Sequence, residues 1–333
     1  MALRAFKVMR AGLETTRGTN VAPTRGIPFT EGSHEQDIDL IYPEELRNSY
    51  HVNYAGDPGT EVNGFDVGGP VGFNGLVWWA NLHLKAVASG TGAGADKTWT
   101  FLPTATTDDL KTATVQFGYS DSIGATRPAW ELGYVIGDQL TLKWDKSPGN
   151  PGVTFDSHLV SPEAALQISA FTGTGTYTTE TDGLAKAKQT AVTIDTTTIG
   201  TTADNDILSV EWILNDRTVN LYTLNNSANA QDTLRPYGWQ WSAKVRRYYR
   251  NDTEIDAYVA KTLRKIRVAT VGSVLGSSNF KVQLDLYGKY QGPRKIAEVD
   301  GLGIEEYTLV PVFDATATTS FQLVVVNDQG TIT

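Results

Sequence analysis

The sequence predicts a mainly β chain in two modules, each a run of strands carrying one helix. Three observations predict it. Apolar and polar residues alternate in long runs, most regularly at Phe280-Lys-Val-Gln-Leu-Asp-Leu286, which is the period of a strand with one buried face. Glycine (32 residues) and threonine are plentiful while methionine (2 residues) is scarce, a bias toward strands and turns. Helical periodicity is confined to two stretches, after Asn74 and near Asp252, each flanked by strand-like runs.

Composition sets the outer bounds. The 333 residues, 40% hydrophobic and 20% charged, suffice for a large core. The absence of cysteine excludes disulfides, a thiolate nucleophile and cysteine-based zinc sites. A net charge of −9 argues against a chain built mainly to grip nucleic acid, which needs Lys and Arg against phosphates. No run approaches the roughly 18–20 apolar residues of a membrane span. The N-terminus lacks the long apolar core of a signal peptide.

Residues 1–60 read as a polar, turn-rich arm with a first strand at Asp37–Tyr42 and a helical turn at Pro43-Glu-Glu-Leu46. Residues 61–200 form the first module: a strand from Val62 to Val71, then a helix over 75–88 with Asn74 as N-cap. Leu76, Trp79 and Leu84 lead its apolar face, with Ala80, His83 and Val87, and pack it on a sheet. Strands follow at Thr98–Leu102, Ala113–Tyr119, Trp130–Tyr134, Gln139–Trp144 and Val153–Leu159. The Thr/Gly-rich stretch 171–205 is a linker, or a long hairpin ending near Thr190–Ile194.

Residues 201–333 form the second module, with strands at Ile207–Leu214, Val219–Leu224 and Trp239–Tyr249. A helix over 252–267 packs through Ile255, Val259 and Leu263, its C-terminal turns crowded by Lys261, Arg264, Lys265 and Arg267 as the helix dipole prefers. In the Asn279–Tyr290 strand, Lys281, Gln283 and Asp285 share the wet face. Strands at Glu305–Phe313 and Thr319–Val326 complete the chain. The order strand, helix, strands thus occurs twice.

No constellation for catalysis, cofactor or metal emerges. His34, His51, His83 and His158 lack metal-ligand spacing, and His83 on an apolar helix face reads as a hydrogen-bonded core residue. Asp37, Asp39, Glu44 and Glu45 lack the spacing of a calcium loop. Gly90–Ala95 is Gly-rich but follows a helix, the reverse of a phosphate-cradling order. Lys244, Arg246, Arg247 and Arg250 interleave with Trp239, Trp241, Tyr248 and Tyr249, a pattern that would suit base stacking. Yet the tryptophans alternate like a buried strand face, which favours a structural role.

Several short motifs, in order, resemble the major tail (tail tube) proteins of long-tailed bacteriophages. They are Gly12-Leu-Glu-Thr-Thr-Arg-Gly-Thr-Asn-Val-Ala-Pro-Thr-Arg25, Tyr42-Pro-Glu-Glu-Leu46 with Arg47, and Val62-Asn-Gly with Gly69-Pro-Val-Gly-Phe-Asn-Gly-Leu76. Lys97-Thr-Trp-Thr-Phe-Leu-Pro103 and Leu286-Tyr-Gly-Lys-Tyr290 continue the series. The likeness spans most of the chain; the Gly/Thr-rich middle and the basic second helix fall outside it. The resemblance implies a β-sandwich or half-barrel with flanking helices, whose strands join between subunits into a continuous ring barrel. Rings of six-fold or pseudo-six-fold symmetry stack into the conduit for DNA, with the N-terminal arm as an inter-ring contact.

Implied partners are further copies of the chain, a tape measure protein in the lumen, tail terminator and tip proteins, and DNA in transient passage; no membrane and no cofactor are implied. The implied location is the virion tail, after synthesis in the bacterial cytoplasm. If both modules build wall, three chains make a ring, and if only one does, six; three is preferred. Lys281, Gln283 and Asp285 are then the expected lumen residues. Competing readings are another β-rich virion part (tail terminator, baseplate or capsid decoration protein) and a carbohydrate-binding module using the eight tryptophans.

Overall fold

The computed structural model describes residues 6–41, 57–84, 87, 89–103, 111–119, 129–146, 152–173, 175–177, 183–214, 218–223, 230–235, 238–299 and 301–332. The Pro43–Leu46 turn lies outside them. The chain is mainly β, with two short α-helices. It opens with β1 (Phe6–Leu13), β2 (Arg25–Gly26), β3 (Glu31–Ile41) and β4 (Asp57–Pro70), then α1 (Gly75–His83). There follow β5 (Lys97–Phe101), β6 (Ala113–Tyr119), β7 (Ala129–Asp145), β8 (Val153–Ser161), β9 (Leu166–Ile168) and β10 (Thr176–Tyr177). Next come β11 (Thr190–Asp195), β12 (Ile207–Leu214), β13 (Val219–Leu221), β14 (Asp232–Leu234) and β15 (Trp241–Tyr248), then α2 (Thr253–Ala260). β16 (Arg264–Leu275), β17 (Ser278–Val299), β18 (Leu302–Pro311) and β19 (Phe321–Asn327) finish the chain.

All strands but β13 and β14 belong to one 17-stranded sheet, which branches into three rows. The long row is β17-β18-β15-β12-β7-β8-β4-β3, antiparallel throughout. The second row is β11-β16-β17-β19-β5. The third is β9-β7-β6-β1-β2-β10, parallel only at β2–β10.

Two long strands pass between rows. β7, of 17 residues, pairs with β6 up to Val135 and with β8 from Ile136. The change falls beside Tyr134, whose φ is +53°, an uncommon conformation for a side chain of that size. Glu14 accepts from its backbone N at 3.0 Å, its hydroxyl donates to Asp232, and the Arg17 guanidinium lies 5.1 Å from its ring. β17, of 22 residues, leaves β16 and β19 for β18 at Gly288. A Cβ there would come within 2.3 Å of the Val310 carbonyl, so only glycine fits the bend.

The pairing pattern repeats. β1, β3, β4, α1, β6, β7, β8 and β9 correspond in chain order to β11, β12, β15, α2, β16, β17, β18 and β19. Each ladder of the first set has its counterpart: β1–β6 with β11–β16, β3–β4 with β12–β15, β4–β8 with β15–β18, β6–β7 with β16–β17, β7–β8 with β17–β18, and β7–β9 with β17–β19. The repeat therefore divides between Ile168 and Thr190, not at residue 200. Within the stretch read as an arm, β1 belongs to the first copy, and its Met9 and Ala11 are fully buried.

One contiguous core runs through both copies. Inward residues of the long row meet those of the second: Trp144 of β7 donates to Thr270 of β16 at 3.1 Å, and Trp212 of β12 lies 5.3 Å from Phe321 of β19.

Both helices differ from expectation. α1 stops at His83, and Leu76 through Leu84 are buried on every side rather than along one stripe. Asn81 donates to Val77 O at 3.0 Å and accepts from Val87 N at 2.6 Å, and His83 Nε2 bonds Ser157 Oγ at 2.8 Å, while Trp78 Nε1 and His83 Nδ1 are buried without a hydrogen-bond partner. Burial, then the Arg235 and His158 charges, pushes the His83 pKa well down, so the ring stays neutral. α2 ends at Ala260 because Lys261 turns left-handed (φ +53°). The residues read as its last turns belong to β16, where Ile266, Val268 and Thr270 alternate inward. Leu263 thus lies outside the helix, Ile255 is half-buried, and Val259 is 72% exposed instead of packed.

Asp195 closes the turn after β11, accepting from Gly200 N (2.8 Å), Thr201 N (3.1 Å), Thr201 Oγ1 (2.6 Å) and Thr202 N (2.9 Å). Burial pushes this carboxyl up, but the bonds from Thr201, Thr202 and Gly200 outweigh it and hold its pKa at about 2. A depressed carboxylate pKa stabilises the fold fully above the unfolded value of about 3.9 and loses that contribution as pH falls through the folded one. NMR titration of the Asp195 carboxyl should therefore give a midpoint near 2; a midpoint at the ordinary value contradicts the turn.

Candidate assembly surface

The two copies of the repeat meet along two ladders, β19 with β5 and β12 with β7. β12 of the second pairs with β7 of the first, Ser209–Leu214 against Asp145–Leu140, with Glu211 opposite Lys143. Their counterparts, β3 and β17, are the two ends of the long row. Among the described residues no strand pairs with the outer side of β3, or with β17 beyond Gly288 except β18. Unpaired edges are templates for further pairing.

These edges carry opposite charge. β3 presents Glu31, Glu35, Asp37 and Asp39, with His34 its one basic side chain. Beyond Gly288, β17 presents Lys289, Arg294 and Lys295 against a single Glu298. Arg294 also reaches the buried Glu305 of β18 at 3.7 Å and Lys295 reaches Glu306 at 3.3 Å; of the two only the Lys295 pair is exposed, a kind that contributes little and is readily exchanged. The inward residues at these edges lack cover. Leu142 and Trp144 of β7 are 0% and 3% exposed under the other copy, whereas Ile296 on the corresponding stretch of β17 is 65% exposed.

On the outer face of the long row, basic side chains sit beside acids: Lys143 with Asp145 (3.2 Å), Lys244 with Glu211 (3.6 Å), Arg246 with Glu306 (3.8 Å). Toward β3 the face turns acidic, in an open groove of about 400 Å³ lined by Glu31, Asp66, Asp156 and His158. Burial, then the charges of Glu31 and Glu211, pushes the Asp156 carboxyl up. Two further hollows, about 130 Å³ beside the start of α1 and lined by Ile27, Leu76 and Trp79, and about 190 Å³ between Trp144, Thr190 and Ile207, are below the roughly 300 Å³ of a small-molecule site.

The residues expected in the lumen sit on the second row. Lys281 and Gln283 are half-buried there. Asp285 is 2% exposed, clamped by Arg267 through Nε at 2.7 Å and Nη2 at 2.8 Å. Alternation along one strand could not see Arg267, which stands directly opposite Asp285 on the neighbouring β16. Leu76, Trp79 and Leu84 are buried together in α1; Ile255, Val259 and Leu263 form no common packing face. Sequence reasoning missed both edges, although the acids at alternate positions from Glu31 to Asp39 were a usable signal.

None of the eight tryptophans is exposed: Trp130 and Trp239 are half-buried and the rest buried. Among the described residues no group of three His, Asp or Glu side chains could hold a metal ion, and no helix is long and apolar enough to cross a membrane. No protein-family model matches the chain, and no curated protein matches it.

Proposed function

We propose that the chain is a wall subunit of a bacteriophage tail tube: three copies close a ring, and rings stack into a conduit for DNA. The observation that carries the reading is the internal seam. β12 against β7 already solves the pairing that β3 of one copy needs against β17 of the next, with acid facing base in both. A head-to-tail contact of this kind makes a ring when its rotation closes. Each copy is then two sandwich modules, and the long rows join into one barrel without edges.

Size favours three copies. At about 4.8 Å between strands and a tilt near 40°, about 24 strands enclose a barrel roughly 40–50 Å across, while six copies would double it. The outer face of the long row lines the lumen in this arrangement, and the Lys281 face points away. Paired or acidic side chains suit passage of DNA, because a basic lining would hold phosphates. A carbohydrate-binding module loses its main support with the tryptophans buried.

Concentrating the purified chain and viewing it by negative-stain microscopy should show long hollow tubes. Monomers, or single rings that never stack, would count against the reading and for a terminator-type part.

A further inference from the structure

We propose that the bare side of α2, centred on Val259, is a docking surface for a second copy of this chain, and that it meets there the β9 end of that copy's third row, around Leu166. The inference rests on the ring reading and adds to it a contact away from the strand edges. Its source is the unequal treatment of two equivalent helices. α1 and α2 occupy the same place in the repeat, yet α1 is buried all round. On α2 only Glu254 and Ala257 are buried, while Asp256, Val259 and Ala260 are exposed, Val259 by 72%.

The difference traces to what lies across the seam. The unit at α1 is closed by the other copy of the repeat. The Phe280 ring, at the start of β17, lies 5.7 Å from Phe73 just before the helix. Asn327, at the end of β19, donates to Phe73 O at 3.2 Å and accepts from Trp99 Nε1 at 2.9 Å. α2 stands beside β17, on the edge that no strand pairs with among the described residues. In the repeat, the counterparts of the start of β17 and of β19 are the start of β7 and β9. Those elements sit at the far end of the chain's sheet, where Leu166 of β9 is 55% exposed. When β3 of one copy joins β17 of the next, the first copy brings its β9 beside the second copy's α2, as β19 is brought to Phe73 just before α1.

α2 is also held ready. Glu254 accepts from Arg264 Nε at 3.1 Å and from Tyr290 Oη at 2.8 Å. Tyr258 donates to Gly292 O at 2.7 Å and Lys261 to Tyr290 O at 3.1 Å, both carbonyls of β17. The bare helix face is thus fixed next to the bare strand edge, and the two form one continuous surface.

The test uses the full chain, with assembly followed by sedimentation velocity. Val259→Asp and Leu166→Asp alter exposed residues and should leave the near-ultraviolet spectrum and thermal transition of the monomer unchanged. Each should weaken ring formation by roughly tenfold to hundredfold, the range expected for exposing one aliphatic side chain. Since the chain has no native cysteine, Val259→Cys with Leu166→Cys should cross-link between copies. Normal assembly of both aspartate variants overturns the inference. If those variants assemble normally while Lys289→Glu with Lys295→Glu abolishes rings, the ring stands and the helix contact falls. If the unaltered chain never forms rings, both fall.

Discussion

Replacing Glu35 and Asp37 with lysine leaves a folded chain that no longer closes rings. Both residues lie on the free edge of β3, and Glu35 belongs to the exposed polar set of that strand. In the monomer they hold no core together, so the variant's thermal transition should match that of the parent. In the proposed ring they would face Lys289, Arg294 and Lys295 of the next copy, and the substitution would set base against base. Like charges brought together across an interface cost several kcal/mol, enough to move assembly out of a micromolar range. The same chain carrying Lys289→Glu and Lys295→Glu as well should assemble again, because sign is restored at the seam. Sedimentation velocity reads both outcomes. Unimpaired assembly of the lysine variant, or no rescue by the fourfold change, contradicts the seam.

The second large effect is on stability. Glu254→Ala should cost roughly 3–5 kcal/mol, the usual penalty for removing one partner of a buried ion pair. Glu254 and Arg264 side chains are 5% and 8% exposed and meet at 3.0 Å. Arg247, 4% exposed, lies 3.9 Å from the same carboxylate and 3.7 Å from Asp204. Tyr290 gives its hydroxyl to Glu254, and burial together with that carboxylate pushes its pKa far up, so it remains a donor. Without Glu254, a buried guanidinium and a buried hydroxyl lose their main acceptor at once. Asp256→Asn, on the exposed side of the same helix, is the control and should change little. Urea unfolding followed by tryptophan fluorescence measures both; a loss below about 1 kcal/mol for Glu254→Ala would mean that this network does not hold α2.

Much of the sheet was legible in the sequence because alternation reports directly on strands with one buried face. β12 and β15 fall close to their expected positions, β17 begins where expected but runs on past Tyr290 to Val299, and Trp144 and Trp241 are buried as their place in the alternation requires. The failures have particular causes. In α2, Arg264 through Arg267 looked like a dipole-satisfying last turn, while the competing alternation of Ile266, Val268 and Thr270 decided the outcome once Lys261 broke the helix. α1 was read as amphipathic from the spacing of Leu76, Trp79, Ala80, His83 and Leu84; Val77, Trp78, Asn81 and Leu82 are buried as well, and bonds to Val77 O and Val87 N let Asn81 sit inside. The seam was out of reach altogether. β12 and β7 are separated by more than fifty residues, and only the pairing order shows that they stand in for β3 and β17.

The most direct test exploits the lack of native cysteine. Single cysteines placed on β3, at Ser33 or Glu35, are combined in one chain with single cysteines on β17, at Lys289, Lys295 or Ala297, and the assembled protein is oxidised. If β3 of one copy lies beside β17 of the next, at least one combination should link copies head to tail. The product should stop at a closed species of three 36.2-kDa chains, measured by native mass spectrometry. A closed species of six chains, or no link between copies in any combination while tubes still form, would contradict the account.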